Sequence, residues 1–117
     1  MRKIVFVITI ITTLLSCESF FIEDISDEIV VALAPLNGAE LNKGKIQFSW
    51  KSIDAADTYQ VEIVTPYFSS VQKVIKEVEI EETSIDVNLE PGEYQWRVKA
   101  MNSEHETGFT ISSFTVQ

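Results

Sequence analysis

The chain has 117 residues, which suits a single domain, and it carries 18 acidic side chains against nine basic ones. Two of the bases, Arg2 and Lys3, lie at the extreme N-terminus. If that segment is removed on export, seven bases remain against 18 acids, and the formal net charge is −11. Binding to nucleic acid depends on cations that displace the counterions of the phosphates. The charge therefore excludes nucleic acid from the expected partners.

The first sixteen residues predict a cleavable export signal. Arg2 and Lys3 form a positive region, and residues 4–15 form an apolar run. The run is about twelve residues long, whereas a helix that spans a bilayer needs roughly twenty. A signal-anchor helix and a buried core helix are the alternatives. The run has no polar face and begins directly after the initiator Met, which favours a signal peptide over residues 1–16.

Cys17 is the only cysteine, so an intramolecular disulfide and a Cys-based metal site are both excluded. The segment Leu14-Leu15-Ser16-Cys17 resembles the lipobox of bacterial lipoproteins. This resemblance implies cleavage before Cys17, a diacylglycerol on its sulfur and acylation of the new N-terminus, with the membrane as a partner. Two or three acyl chains would make a stable anchor. The alternative is an ordinary signal peptide followed by an incidental cysteine.

Residues 17–28 are predicted to be a lipidated acidic linker. Residues 18–28 hold five acids and no base around an apolar knot, Phe20-Phe21-Ile22, and show no strand or helix period. Acidic residues shortly after the lipidated cysteine resemble the surface-export signals of Bacteroidota lipoproteins. That resemblance implies a cell-envelope protein of the outer membrane, exposed at the cell surface. The knot would either dock on the domain or dip into lipid.

From residue 29 to 117 the sequence alternates apolar and polar residues in short runs that turn residues interrupt, which is the signature of β-strands. Pro66 is expected to end its strand, and Ser112-Ser113 is expected to form a bulge that switches the faces of the last strand. The pattern predicts an all-β fold, a seven-stranded antiparallel β-sandwich over residues 29–117. The predicted strands lie near residues 29–34, 45–51, 59–64, 74–81, 85–89, 94–100 and 109–116.

The alternation also predicts which side chains of a strand face the core. Phe48 and Trp50 share the apolar face of their strand, and Tyr94 and Trp96 share that of theirs, opposite Arg97. In residues 74–81 the positions 74, 76, 78 and 80 share one parity, opposite residue 75. In the last strand the apolar parity is that of residues 109 and 111 before the expected bulge and that of residues 114 and 116 after it.

Three segments of this domain resemble fibronectin type III domains. Residues 89–102 are similar to the corner between the E and F strands and to the F strand itself, residues 48–50 to the B strand, and residues 59–63 to the C strand. The resemblance implies that Trp50 fills the centre of the core and that the Tyr94 hydroxyl bonds back to the backbone near Leu89. The usual interval from the corner Leu to the Tyr is six residues and here it is five, so the corner hydrogen bond is left open.

Catalytic and metal sites find little support in the sequence. His105 is the only histidine and lies between two glutamates in a polar hairpin, where we expect it in solvent and not in a triad. Carboxylate pairs suggest a glycosidase, but a small sandwich with short loops offers no obvious cleft. The run Glu77, Glu79, Glu81, Glu82 could offer oxygen ligands to Ca²⁺, although carboxylates on alternate strand residues are spread about 7 Å apart. We therefore expect no enzyme activity, metal or cofactor.

Tyr67 and Phe68 are the candidate ligand-contact residues. They follow Pro66 in a predicted loop, where exposed aromatic rings can stack on sugars or anchor a protein. In the alternative, the loop folds both rings down over the core. The sequence thus predicts a cell-envelope lipoprotein whose single β-sandwich binds an unidentified envelope protein. A carbohydrate-binding accessory module of a polysaccharide-uptake system, with a glycan as its partner, is the second interpretation.

Overall fold

The computed structural model describes residues 21–117, and the predicted signal peptide and Cys17 lie outside this range. The described part of the chain forms eight strands, and in it no helix is long and apolar enough to cross a membrane. The strands are β1 Ala32–Ala34, β2 Ala39–Leu41, β3 Gly44–Trp50, β4 Thr58–Tyr67, β5 Ser70–Ile80, β6 Ser84–Leu89, β7 Gly92–Met101 and β8 Thr110–Val116.

The strands form two sheets that enclose one core. The first has the order β1-β3-β6 and the second the order β2-β8-β7-β4-β5. Every pair is antiparallel except β2 and β8, which are parallel over three residues. The all-β sandwich is confirmed, with eight strands in place of the predicted seven. The additional strand, β2, has only three residues, which is too short for an alternating pattern to indicate it.

The core comes from the alternating faces of β3 and β7. Phe48 and Trp50 of β3 are 0% and 2% exposed, and Trp96 of β7 is 1% exposed. The Phe48 ring meets the Trp96 and Phe114 rings edge to face, with centroids 5.3 and 5.6 Å apart. Aromatic pairs favour this arrangement because the ring edges are positive and the faces negative. The predicted central position of Trp50 is therefore confirmed.

The predicted bulge at Ser112-Ser113 is wrong. β8 pairs with β7 without interruption, so Ser112, Phe114 and Val116 share the inner face while Ile111 is 49% exposed. Ser112 lies directly opposite Trp96 in the ladder. A small side chain there leaves room for the indole, so a polar residue occupies an inward position that hydrophobicity alone assigned to Ile111.

Pro66 does not end its strand. β4 continues to Tyr67, and its pairing with β5 shifts by one residue between Thr65 and Pro66 and again between Ile63 and Val64. A bulge accommodates proline because one residue there makes no ladder hydrogen bond. As a further consequence, Ile75 packs against the core while Val74 is 52% exposed. The alternation in the sequence grouped Val74 with the apolar face of this strand, and that assignment is wrong at the bulge.

The segment before β1 contributes to the core as well. Ile25 is 1% exposed and belongs to the main apolar cluster, although it lies in the predicted linker. Ile29, the first residue of the predicted β-rich run, is 74% exposed, and its neighbour Val30 is fully buried. The core therefore includes a residue that precedes the predicted start of the domain at residue 29.

Candidate functional site

The sandwich has two distinct ends. At one, which we call the tether end, lie the N-terminal segment 23–26 and the connections 51–57, 81–83 and 102–109. The Asp57 N–H, for example, donates to the Met101 carbonyl over 2.8 Å. At the other, which we call the far end, lie the connections 42–43, 68–69 and 90–91. These segments at the tether end carry eight carboxylates, those of Glu23, Asp24, Asp54, Asp57, Glu81, Glu82, Glu104 and Glu106.

Tyr67, one of the two predicted contact residues, lies at the far end and is 39% exposed. Its hydroxyl donates a 2.9 Å hydrogen bond to the carboxylate of Glu93. That hydrogen bond, together with the negative charge of Glu93, raises the pKa of the Tyr67 hydroxyl. The ring borders a shallow pocket of about 120 Å³ that Glu93, Ser113 and Thr115 also line. A ring beside a carboxylate and a hydroxyl could stack on and hydrogen-bond to a polar ligand.

Phe68, the second predicted contact residue, is half-buried and engaged by the protein itself. Its backbone N–H donates to the Gln95 side chain over 2.8 Å. Its ring covers the guanidinium of Arg97, whose central carbon lies 4.1 Å from the ring centroid. Tyr67 and Phe68 are therefore held by different partners, and only Tyr67 presents much of its ring to solvent.

Arg97 is the centre of a cluster on the outer face of the five-stranded sheet. Its guanidinium contacts two rings, since its central carbon also lies 4.2 Å from the centroid of the Phe109 ring. Its Nη2 and Nε atoms donate to the two carboxylate oxygens of Glu62 over 3.1 and 3.3 Å. Alternation in β7 indicated that Arg97 points outward. It gave no sign of Glu62 or Phe109, because strand pairing is what brings these residues together.

A groove of about 350 Å³ opens at the far end between β5 and the connection of β6 to β7. Tyr94 closes its inner side, and its hydroxyl donates a 2.6 Å hydrogen bond to the Glu90 carbonyl. Burial, and then the charge of Glu90, raise the pKa of the Tyr94 hydroxyl. The groove is lined by Thr65, Lys73, Ile75, Asn88, Leu89, Glu90, Pro91, Gly92 and Tyr94.

His105 is half-buried at the tether end, where the sequence predicted a solvated side chain. Its Nδ1 atom lies 3.3 Å from the carboxylate of Asp24, and its backbone N–H donates to the Asn102 side chain. The imidazole thus links the hairpin to the N-terminal segment. Hydrogen bonds from the Ser26 hydroxyl and backbone lower the pKa of the Asp24 carboxyl, and the charge of His105 adds to this effect.

The predicted Ca²⁺ alternative rested on the acidic run of Glu77, Glu79, Glu81 and Glu82, which begins in β5 and ends after it. Glu77 lies opposite Glu62 in the ladder and Glu79 opposite Gln60, so the carboxylates are distributed along the strand. Within residues 21–117 no group of three or more His, Cys, Asp or Glu side chains could hold a metal ion.

Comparison with known proteins assigns the fold. No family model and no curated protein matches the chain. Among solved structures, the crystal structure of FN3tt is similar, with a TM-score of 0.54 and 18% identity over 75% of this chain and 95% of that one. The fibronectin(III)-like modules of Clostridium thermocellum CbhA give a TM-score of 0.52 and 17% identity over 75% and 94%.

These neighbours define the class of domain. The described chain has a fibronectin type III-like fold, which the resemblance of residues 48–50, 59–63 and 89–102 implied. The corner hydrogen bond, which the sequence left open, is present and runs from the Tyr94 hydroxyl to the Glu90 carbonyl. Identities below one fifth support the fold, and a function has to be argued from this chain's own surfaces.

Proposed function

We propose that this protein is a lipid-anchored protein of the cell envelope whose single β-sandwich is a non-enzymatic binding or scaffold module that contacts another envelope protein. The observation that carries the proposal is the position of Ile25. Ile25 is buried in the core only eight residues after Cys17. An extended chain spans at most about 3.5 Å per residue, so a lipid on Cys17 would hold the domain within about 28 Å of the bilayer.

An exposed aliphatic stripe supports contact with a protein. Ile29, Val31, Leu33 and Leu36 are 74%, 48%, 46% and 58% exposed in the segment that contains β1, an edge strand of the three-stranded sheet. Val30 on the opposite face is fully buried. Exposed apolar groups that lie close together along a segment often mark contact surfaces.

The anchor is tested by replacing Cys17. We expect Cys17→Ser to abolish palmitate labelling and to move the protein from the membrane to the soluble fraction. Ser16→Ala, which keeps a small residue before the cysteine, should leave labelling intact. Labelling that persists in Cys17→Ser would overturn the lipoprotein assignment.

The contact is tested by photo-crosslinking in intact cells. A crosslinking amino acid at Val31 should capture one reproducible envelope protein, identified by mass spectrometry. The control position is Gln47, an exposed residue of β3 in the same sheet. Equal yields from the two positions would argue against the stripe as a contact surface.

The second candidate function is carbohydrate binding at the outer-membrane surface. The observation that favours it is the exposed Tyr67 ring beside Glu93 and Ser113 at the shallow pocket. Binding measured by calorimetry against envelope polysaccharides should then be lost in Tyr67→Ala and retained in Val71→Ala, since Val71 is an equally exposed residue of the same hairpin. Binding that survives Tyr67→Ala would exclude this site.

A further inference from the structure

We infer that residues 23–26 form a clasp that fixes the anchored N-terminus to the hairpin 102–107, so that the tether end faces the bilayer and the far end faces away from it. This inference rests on the lipid anchor proposed above. It adds an orientation, which decides the surface that a partner in the aqueous phase can reach.

The clasp consists of three contacts. The Asn102 side-chain NH₂ donates to the Glu23 carbonyl over 2.8 Å and to the Ala55 carbonyl over 3.2 Å, which joins the N-terminal segment to the 51–57 connection. Asp24 meets His105 at 3.3 Å. The third contact is apolar: the Ile25 side chain is 1% exposed and belongs to the core. Segment 23–26 is therefore part of the folded domain.

The hairpin is pre-formed to make these contacts. The Asn102 Oδ1 atom accepts hydrogen bonds from the backbone N–H groups of Glu104 and His105, over 3.1 and 2.8 Å. This arrangement directs the NH₂ group away from the hairpin and toward the N-terminal segment. One side chain thus shapes the hairpin with its oxygen and holds the tether with its nitrogen.

The short reach of the tether means that only the tether end can lie next to the bilayer. Seven residues separate Cys17 from Ile25, so the lipid lies within about 28 Å of the tether end. β4 alone has ten residues and spans about 33 Å toward the far end. To bring the far end to the bilayer, the tether would have to run back along the whole sandwich, and the clasp prevents this.

The charge of the tether end limits how closely it approaches lipid. Its eight carboxylates lie on the bilayer side in this orientation, and anionic headgroups would repel them within the screening distance of about 8 Å at physiological ionic strength. Lys51 and Lys99 are the bases near this end, and Lys99 is paired with Glu106 at 3.1 Å. The tether end is thus expected to face the membrane without inserting into it.

The experiment measures the height of each end above the bilayer. Lipidated full-length protein is reconstituted into vesicles, where the thioether blocks Cys17, and a donor dye is placed on Ser103→Cys or Ser69→Cys. Both serines are exposed, one at the tether end and one at the far end. With an acceptor-labelled lipid, energy transfer should be much stronger from position 103, and the heights should differ by about 30 Å. Equal or reversed transfer would overturn the orientation.

The clasp is tested separately with Asn102→Asp. This variant keeps the oxygen that accepts from the hairpin and removes both donations to Glu23 and Ala55. We expect the height difference to shrink, while Asn88→Asp, which adds the same charge to an exposed position of β6, should leave it unchanged. An unchanged difference in Asn102→Asp would overturn the clasp. Vesicle-bound protein with equal heights contradicts only the orientation, whereas protein that fails to acquire palmitate contradicts the anchor.

Discussion

The Tyr94 hydroxyl donates a 2.6 Å hydrogen bond to the backbone carbonyl of Glu90, four residues earlier in the chain. This closes the corner between β6 and β7 although the interval from Leu89 to Tyr94 is one residue shorter than in the family that the sequence resembles. The Tyr94 ring also stacks on Phe114 of β8, with centroids 5.5 Å apart and an interplanar angle of 15°. The corner thus connects the edge of one sheet to the core strands of the other.

Removal of the corner hydroxyl should destabilise the domain. Tyr94→Phe keeps the ring but leaves the Glu90 carbonyl without its donor, so we expect the free energy of unfolding to fall by about 1–2 kcal/mol. Urea denaturation of residues 21–117 measures the change. Tyr67→Phe removes the exposed hydroxyl that bonds to Glu93 and is the matched control, with a much smaller expected loss because solvent can replace that bond. Equal losses in the two variants would contradict the structural role of the corner.

The same hydroxyl predicts a loss of stability at alkaline pH. Burial and the charge of Glu90 raise the pKa of Tyr94 in the folded protein. The unfolded chain therefore releases this proton first, and the free energy of unfolding falls as the pH rises above the ordinary tyrosine value of about 10. The decline should be smaller in Tyr94→Phe. The pKa of Tyr67 is raised as well, so the comparison between Tyr94 and Tyr94→Phe should be made in two proteins that both carry Tyr67→Phe. Parallel pH profiles would contradict the prediction.

The two core tryptophans should respond differently to replacement by phenylalanine. The Trp96 indole N–H donates to the Pro35 carbonyl over 3.0 Å, whereas the Trp50 indole N–H has no partner among residues 21–117. Trp96→Phe removes a hydrogen bond and strands a carbonyl, while Trp50→Phe removes a buried donor without a partner. We expect Trp96→Phe to lose about 1 kcal/mol more than Trp50→Phe in urea denaturation. A larger loss in Trp50→Phe would contradict this account.

The contribution of Arg97 to the stability of the domain should depend on the shape of its guanidinium as well as on its charge. Arg97→Lys keeps the charge but loses the two-point contact with Glu62 and the planar packing against Phe68 and Phe109. We expect the free energy of unfolding, measured by urea denaturation, to fall by about 1–2 kcal/mol. A double-mutant cycle with Phe68→Leu should give a coupling of about 0.5–1 kcal/mol. Lys45 and Asp86, an exposed pair at 3.7 Å, should couple by much less and serve as the control.

The N-terminal segment offers a matched pair of isoleucines. Ile25 is 1% exposed and Ile29 is 74% exposed. Ile25→Ala should reduce the free energy of unfolding by about 2–4 kcal/mol through the lost apolar burial and the cavity, whereas Ile29→Ala should change it by less than about 0.5 kcal/mol. Urea denaturation distinguishes the two. A small loss in Ile25→Ala would show that segment 23–26 is not docked, and the clasp would fail with it.

The prediction from sequence was accurate where the signal is local. Alternation in β3 and β7 indicated the inward positions of Phe48, Trp50, Tyr94 and Trp96, because a strand exposes one face to the core and the apolar side chains must occupy it. The pattern of short strands was sufficient for the sandwich. The assignment of Cys17 as the lipidated residue is also a local pattern, and it stays a prediction from sequence because it lies outside the described residues.

The tertiary structure decided what depends on pairing between distant parts of the chain. The bulges in the β4–β5 ladder place Ile75 inside and Val74 outside, and neither strand's sequence encodes the register of its partner. Strand pairing also brings Glu62 beside Arg97 across 35 residues, and the docking of segment 23–26 brings the Glu23 carbonyl to Asn102 across 79. The sequence thus determined which side chains favour burial, since hydrophobicity is a property of each side chain by itself. Only the fold determined which polar groups meet, since a hydrogen bond requires two partners at a fixed distance.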